Sequence, residues 1–141
     1  MQIQRVGVIG AGTMGNGIAQ VFSQSGYQVQ LIDAVPAALD RARGTIEKSL
    51  GKFVEKGKLK GEERDAALGR LATGSDVATL ADVDYVVEAI VEDLAAKRAL
   101  YARLDEITRP EVILASNTSS ISVTALGATT KRPTACWACT S

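Results

Sequence analysis

The chain has 141 residues, 46% of them hydrophobic, and its 16 basic and 16 acidic side chains leave no formal net charge. Such a length is one domain with room for a sizeable core, while zero net charge and 4% aromatic residues argue against nucleic acid as a partner. No apolar run approaches the ~20 residues of a membrane span, and Met1-Gln2-Ile3-Gln4-Arg5 does not read as a signal peptide, so no membrane partner and a cytoplasmic location are expected.

Ile3 to Ile9 (IQRVGVI) is β-branched and apolar, and predicts a buried strand. The turn Gly10-Ala11-Gly12-Thr13-Met14-Gly15 follows. Met14, Ile18, Val21 and Phe22 then recur at helical spacing, in a helix that ends near Gly26. Tyr27 to Ile32 alternates and predicts a second strand. Pro36 suits the first turn of the next helix. Leu39, Ala42, Ile46, Leu50 and Phe53 mark the buried face of that helix, which is expected to run on into the basic stretch Lys52 to Lys60. Glu62 to Gly69 predicts a short helix and Leu71 to Gly74 a short strand. Val83 to Ile90 (VDYVVEAI) is the clearest later strand. Leu94, Leu100, Leu104 and Ile107 form one stripe of a helix that Pro110 stops. Val112 to Ala115 predicts a fifth strand, leading into Ser116-Asn117-Thr118-Ser119-Ser120, and Val123 to Leu126 a helical turn. The order of these elements predicts the α/β class: a Rossmann-like doubly wound, mostly parallel sheet with flanking helices.

In such a fold each glycine of the first turn has a task. Gly10 makes the tight turn out of the strand, Gly12 lets backbone approach a pyrophosphate, and Gly15 lets the helix pack close to the strand. Gly17 is expected to add another close-packing position. The helix start offers free N–H groups and a positive dipole end to phosphates. The motif stands between a predicted strand and a predicted helix, which is the context it requires. Asp33 lies 18 residues beyond Gly15, close to the ~20 at which an acid meets the adenosine ribose. It would repel a 2′-phosphate, and no arginine follows at once, so NAD is favoured over NADP. The other reading is a tight loop with Asp33 capping the next helix.

With these residues in view the sequence resembles the 3-hydroxyacyl-CoA dehydrogenase family, including its 3-hydroxybutyryl-CoA enzymes. The resemblance is carried by VGVIGAGTMGNGIAQ (Val6 to Gln20), VVEAIVEDLAAK (Val86 to Lys97) and ASNTSSISVTALGATTKRP (Ala115 to Pro133). It implies oxidation of L-3-hydroxyacyl-CoA to 3-ketoacyl-CoA with NAD, or the reverse with NADH. It further implies that Glu88, Ala89, Ile90, Val91 and Glu92 line the cofactor cleft. Glu92 and Lys97 would contact the nicotinamide half. Asn117 and Ser119 would sit beside the nicotinamide and the substrate's reacting oxygen, with Ser119 bonded to that oxygen. Ser49 and Lys56 would hold the CoA moiety. Physical reasoning alone leaves plainer roles open: turn chemistry for Asn117 and Ser119, a helix-start acid and a solvated base for Glu92 and Lys97, and a solvated face for Lys52, Lys56, Lys58 and Lys60.

The chain departs from that family after Pro133. The family's base is a histidine in a Gly-Met-His-Phe-like segment, followed by a helical C-terminal domain that makes a homodimer, and these 141 residues contain no histidine. They read Thr134-Ala135-Cys136-Trp137-Ala138-Cys139-Thr140-Ser141 instead. Codons for Pro-Asp-Arg-Val-Leu-Gly-Met-His-Phe, shifted by one deleted base, translate as that tail. The expected organisation is therefore an NAD-binding domain over 1–133, a frame-shifted tail over 134–141, no C-terminal helical domain, and a sheet edge uncovered by loss of a sixth strand. Cys136-x-x-Cys139 then follows from the reading frame. One pair supplies two of the four ligands a structural zinc needs, and no metal site is expected. A chain of this make-up binds NAD without catalysing the reaction. The alternatives are a non-catalytic NAD-binding module and a crystallin-like structural protein.

Overall fold

The computed structural model describes residues 3–89, 94–108, 112–116 and 134–136, with the side chains of 94–98, 116 and 134–136 outside the description. The elements run β1 (Arg5–Ile9), α1 (Thr13–Gln24), β2 (Gln28–Ile32), α2 (Pro36–Glu55), α3 (Gly61–Arg70), β3 (Leu71–Gly74), a 3₁₀ helix (Val77–Asp82), β4 (Tyr85–Glu88), α4 (Leu94–Ile107), β5 (Ile113–Ser116) and β6 (Thr134–Cys136). The strands form one sheet in the order β3-β2-β1-β4-β5-β6. Every pairing is parallel. This is the doubly wound α/β fold that the order of apolar segments predicts. The strand order reverses between β1 and β4, which places the ligand crevice outside their carboxyl ends.

Alternation along β1 divides the core. Val6 and Val8 face α1, α2 and α3, where they pack with Ile18, Leu39, Ile46 and Leu50. Gly7 and Ile9 face the other layer. Ile9 packs there with Leu80, Val86, Tyr101 and Leu104. A Cβ at Gly7 would stand 2.6 Å from the Leu80 Cδ2 atom, so the glycine makes room for the 3₁₀ helix. Burial on both faces explains why these strands read as near-continuous apolar runs.

Several expectations are corrected. The long second helix stops at Glu55 instead of entering Lys56–Lys60. Gly57 takes φ of +73° and turns the chain back, so that the Lys58 N–H donates to the Phe53 carbonyl at 2.9 Å. The strand expected from Val83 begins at Tyr85, and Asp84 before it is engaged with the amino end of β1. Its carboxylate accepts from the Gln4 and Arg5 N–H groups at 2.9 and 3.0 Å. The 3₁₀ helix, absent from the sequence reading, starts where the Asp76 carboxylate accepts from the Ala78 N–H. The sixth strand is present: Thr134, Ala135 and Cys136 pair with Leu114, Ala115 and Ser116. Parallel pairing uses main-chain groups that any residue but proline carries, so an unusual side-chain sequence does not prevent it. The helical turn predicted over Val123 to Leu126 lies outside the described residues.

Candidate cofactor site

β1 runs into the crevice and the chain turns at Gly10, whose φ of +104° favours glycine. The turn is held at each step. The Gly10 N–H donates to the Ile32 carbonyl at 2.7 Å, and the Asn16 N–H to the Gly12 carbonyl at 2.8 Å. The Ala11 N–H donates to Asp33 Oδ2 at 2.8 Å. On the far side the Ala89 N–H donates to the Ile9 carbonyl at 2.8 Å.

The glycines fall into two kinds. A Cβ on Gly15 would sit 1.6 Å from the Gly10 carbonyl oxygen, so the helix can approach the strand only because Gly15 has no side chain. A Cβ on Gly12 would meet nothing within 4 Å, and φ there is −73°. Among the described residues no contact requires a glycine at that position. The space it leaves is in front of the helix start. Gly17 is corrected: a Cβ there also meets nothing within 4 Å and the residue is exposed, so it is no close-packing position. Helical spacing had not distinguished the inner from the outer face.

The start of α1 carries no side-chain cap and no acidic residue in its first turn. Its first N–H groups and the positive end of the helix dipole are thus available to an anion. Thr13 and Met14 are exposed there.

Asp33 joins the glycine turn to the entry of α2, whose N-cap, Val35, has no side-chain cap bond of its own. Its Oδ2 accepts from Ala11 in the turn, and its Oδ1 accepts from the Val35 N–H at the entry of α2, at 2.9 Å. The residue is half-buried. Each carboxylate oxygen has a second lone pair, enough for sugar hydroxyls to bond the same group.

Two recesses meet at this point. The larger, about 670 Å³, is lined by the Gly10–Thr13 backbone, Asn16, Asp33, Arg41, Thr45 and Ala89. The smaller, about 290 Å³, shares Gly10 and Asp33 and is walled by Ile9, Ile32, Val77 and Leu100. It offers an apolar slot beside an acid, which suits a flat heteroaromatic ring next to a sugar. Val77, Leu100, Asn16 and Arg41 were not legible as site residues. Val77 belongs to the unforeseen 3₁₀ helix, and the other three look like ordinary helix positions until the helices are placed.

The remaining candidates are spread out. The half-buried Ser49 accepts from Gln20 Nε2 at 2.8 Å and thereby ties α2 to α1. Lys56 follows the end of α2 and is exposed. The 15 residues between Arg41 and Lys56 span about 22 Å of helix, so Lys56 stands well away from the turn. Glu88, wholly buried, ends β4 in register with Ile9 and Ser116. Lys97 belongs to α4, but its side chain is outside the description, and Val91, Glu92, Asn117 and Ser119 lie outside the described residues. Among the described residues no helix is long and apolar enough to cross a membrane.

A free helix start, an open glycine, a carboxylate at the end of β2 and an apolar slot together fit a dinucleotide. Comparison with known proteins agrees. The family model described as 3-hydroxyacyl-CoA dehydrogenase, NAD binding domain, matches residues 5–139. The chain is 53% identical over 129 residues to a protein of Deinococcus radiodurans named "Probable 3-hydroxybutyryl-CoA dehydrogenase", covering 92% of this chain and 46% of that protein. It is 46% identical over 132 residues to the 3-hydroxybutyryl-CoA dehydrogenase of Mycobacterium tuberculosis, covering 93% of this chain and 46% of the relative. The crystal structure of 3-hydroxybutyryl-CoA dehydrogenase from Escherichia coli K12 superposes with a TM-score of 0.90 at 45% identity, over 94% of this chain and 28% of that one. The chain thus spans about half the length, or less, of the relatives it matches.

Proposed function

The chain belongs to the 3-hydroxyacyl-CoA dehydrogenase family through its NAD-binding domain, and on that premise we propose that it forms the cofactor-holding half of an enzyme interconverting L-3-hydroxyacyl-CoA and 3-ketoacyl-CoA, with 3-hydroxybutyryl-CoA as the substrate class. The observation that carries the cofactor part of this reading is the first turn, with Gly15 closed against Gly10, Gly12 open to the crevice, and Asp33 bonded to the turn itself, while the substrate class is supported by the names of the similar dehydrogenases.

NAD, when bound, supplies the hydride acceptor. The chain's part is to hold and orient it. The N–H groups at the start of α1 face the pyrophosphate, and Gly12 lets it approach. Asp33 accepts from the adenosine ribose and disfavours a 2′-phosphate. Ile9, Ile32, Val77 and Leu100 would enclose the adenine and exclude water from it. By resemblance, Ala89, Val91, Glu92 and Lys97 take the nicotinamide side. Asn117 and Ser119 hold the reacting oxygen, a positioning role. Ser49 and Lys56 hold the CoA moiety at the outer end of α2.

A polypeptide of these 141 residues has no imidazole to take the hydroxyl proton. It is expected to bind NADH saturably and more tightly than NADPH, and to leave acetoacetyl-CoA unreduced. Calorimetric titration with the two nucleotides tests the first part, and absence of NADH binding overturns it. A steady-state assay with acetoacetyl-CoA tests the second, and measurable turnover overturns it. The same reading places the protein in the cytoplasm and takes residues 134–141 as read in a shifted frame. If the nucleotides beyond Pro133 give no Met-His-Phe in the neighbouring frame, the frame-shift part falls.

A further inference from the structure

Arg41 stands apart from the other arginines whose side chains are described. Arg5 pairs with Asp82, Arg43 with Glu47, Arg64 with Asp65, and Arg103 with Asp76. Arg43 also donates to the Leu71 carbonyl, and Arg70 donates to the Ser23 carbonyl at 2.9 Å. For Arg41 no side-chain hydrogen bond or ion pair is found among the described residues, and the residue is exposed. It is also the arginine that lines the cleft in front of the glycine turn.

Among the described residues the charges around that cleft are unbalanced. Asp33 is the acid in its wall, and both of its oxygens already accept backbone N–H groups. Against it stand the positive end of α1, without an acid in its first turn, and the guanidinium of Arg41. Two positive features of independent origin, one backbone and one side chain, converge on one concave surface. A guanidinium presents a planar fork that matches a phosphate with two parallel hydrogen bonds.

We propose that Arg41 is an anion-holding residue of this cleft and takes a phosphate group of a nucleotide ligand. The inference rests on the reading of the cleft as a nucleotide site. The phosphate has two sources in the proposed reaction: the diphosphate of the dinucleotide, and the phosphates of the CoA moiety. Both present the same chemistry to the guanidinium.

The test is calorimetric titration of NADH, CoA and 3′-dephospho-CoA into the full chain and into Arg41→Gln, Arg41→Lys and Arg64→Gln. Arg64 lies on α3, outside the cleft, and controls for loss of one positive charge. Loss of a charge-assisted hydrogen bond is expected to weaken at least one ligand about tenfold in Arg41→Gln. Arg41→Lys should recover part of the loss, because it keeps the charge but not the fork. Arg64→Gln should leave all affinities at parental values. Weakening confined to NADH assigns the residue to the cofactor diphosphate. Weakening of CoA but not 3′-dephospho-CoA assigns it to the 3′-phosphate, and equal weakening of both to the CoA diphosphate. The proposal is overturned if NADH affinity is unchanged while CoA affinity is unchanged, or CoA is not bound by the parent. It is also overturned if Arg64→Gln reproduces the loss. If the parent chain binds none of the three ligands, the reading of the cleft itself fails and takes this inference with it.

Discussion

The two walls of the cleft are built by opposite means. The glycine turn is main chain, held internally by Asn16 to Gly12 and by its neighbours through Gly10 to the Ile32 carbonyl, Ala11 to the Asp33 carboxylate and Ala89 to the Ile9 carbonyl. The facing wall on α2 is made of side chains: Arg41 and Thr45 are exposed, and the Thr45 hydroxyl bonds back to its own helix at the Arg41 carbonyl. The first wall is part of the folding core, whereas the second rests on it. Substitutions that disturb the turn's own contacts should therefore act on stability as well as binding, and substitutions on the exposed face of α2 through binding alone.

Gly15→Ala is expected to have the largest effect. The new Cβ would lie 1.6 Å from the Gly10 oxygen, and neither backbone can retreat without opening β1 from its neighbours. Overpacking usually costs 1–3 kcal/mol and a backbone clash more, so a loss of about 3 kcal/mol or greater is expected. For a chain of this size that lowers Tm by roughly 10 °C. Thermal unfolding followed by circular dichroism checks it. A Tm within 2–3 °C of the parent would mean that the turn is softer than its contacts imply.

Gly12→Ala separates the two functions within the same turn. Gly12 has room for a methyl group and an ordinary φ, so Tm should stay within about 2 °C, the ordinary range of a surface change. The methyl would stand where the pyrophosphate must approach. Losing one or two charge-assisted hydrogen bonds there weakens NADH about tenfold to a hundredfold. Calorimetry beside a thermal melt measures both. An unstable Gly12→Ala, or one with parental affinity, would collapse the distinction between structural and ligand-facing glycines.

The difference between the walls also explains what the sequence disclosed. Main-chain devices leave marks that can be read: buried parallel strands as apolar runs, the glycine spacing, and an acid at the end of β2. The strand order follows from those marks. Side-chain devices do not. Arg41 is one charge among many on the polar face of α2, and only placement of that helix beside α1 brings it to the cleft. Val77 is hidden because a six-residue 3₁₀ helix shows no periodicity and is announced only by the Asp76 cap. Gly17 misled for a related reason, since spacing along α1 does not reveal which glycine faces the strand. Tail residues 134–136 could not be read as a strand, because their pairing with β5 is a property of the backbone.

Asp33→Asn probes the hinge between the walls, since one carboxylate bonds Ala11 in the turn and Val35 at α2. Asparagine keeps one acceptor oxygen and turns an amide donor toward the other N–H. The cost should be about 1–2 kcal/mol, or roughly 4–8 °C in Tm. The lost negative charge should also narrow the preference for NADH over NADPH. Parallel titrations with both nucleotides read that ratio. An unchanged ratio would confine Asp33 to its structural bonds.

Thr45→Val makes the smallest change and is the most direct test of the α2 wall. It removes the hydroxyl that donates to the Arg41 carbonyl at 2.9 Å and keeps the β-branched shape. That carbonyl already serves the helix ladder, and the position is exposed, so water replaces the lost donor. Threonine and valine also have similar helix propensities. The expected change is within about 0.5 kcal/mol, or about 2 °C in Tm. A drop of roughly 4 °C or more, about 1 kcal/mol at this chain length, would show that the α2 wall belongs to the folding core after all. The contrast with the glycine turn would then be one of degree, because ligand and fold would draw on the same contacts on both sides of the cleft.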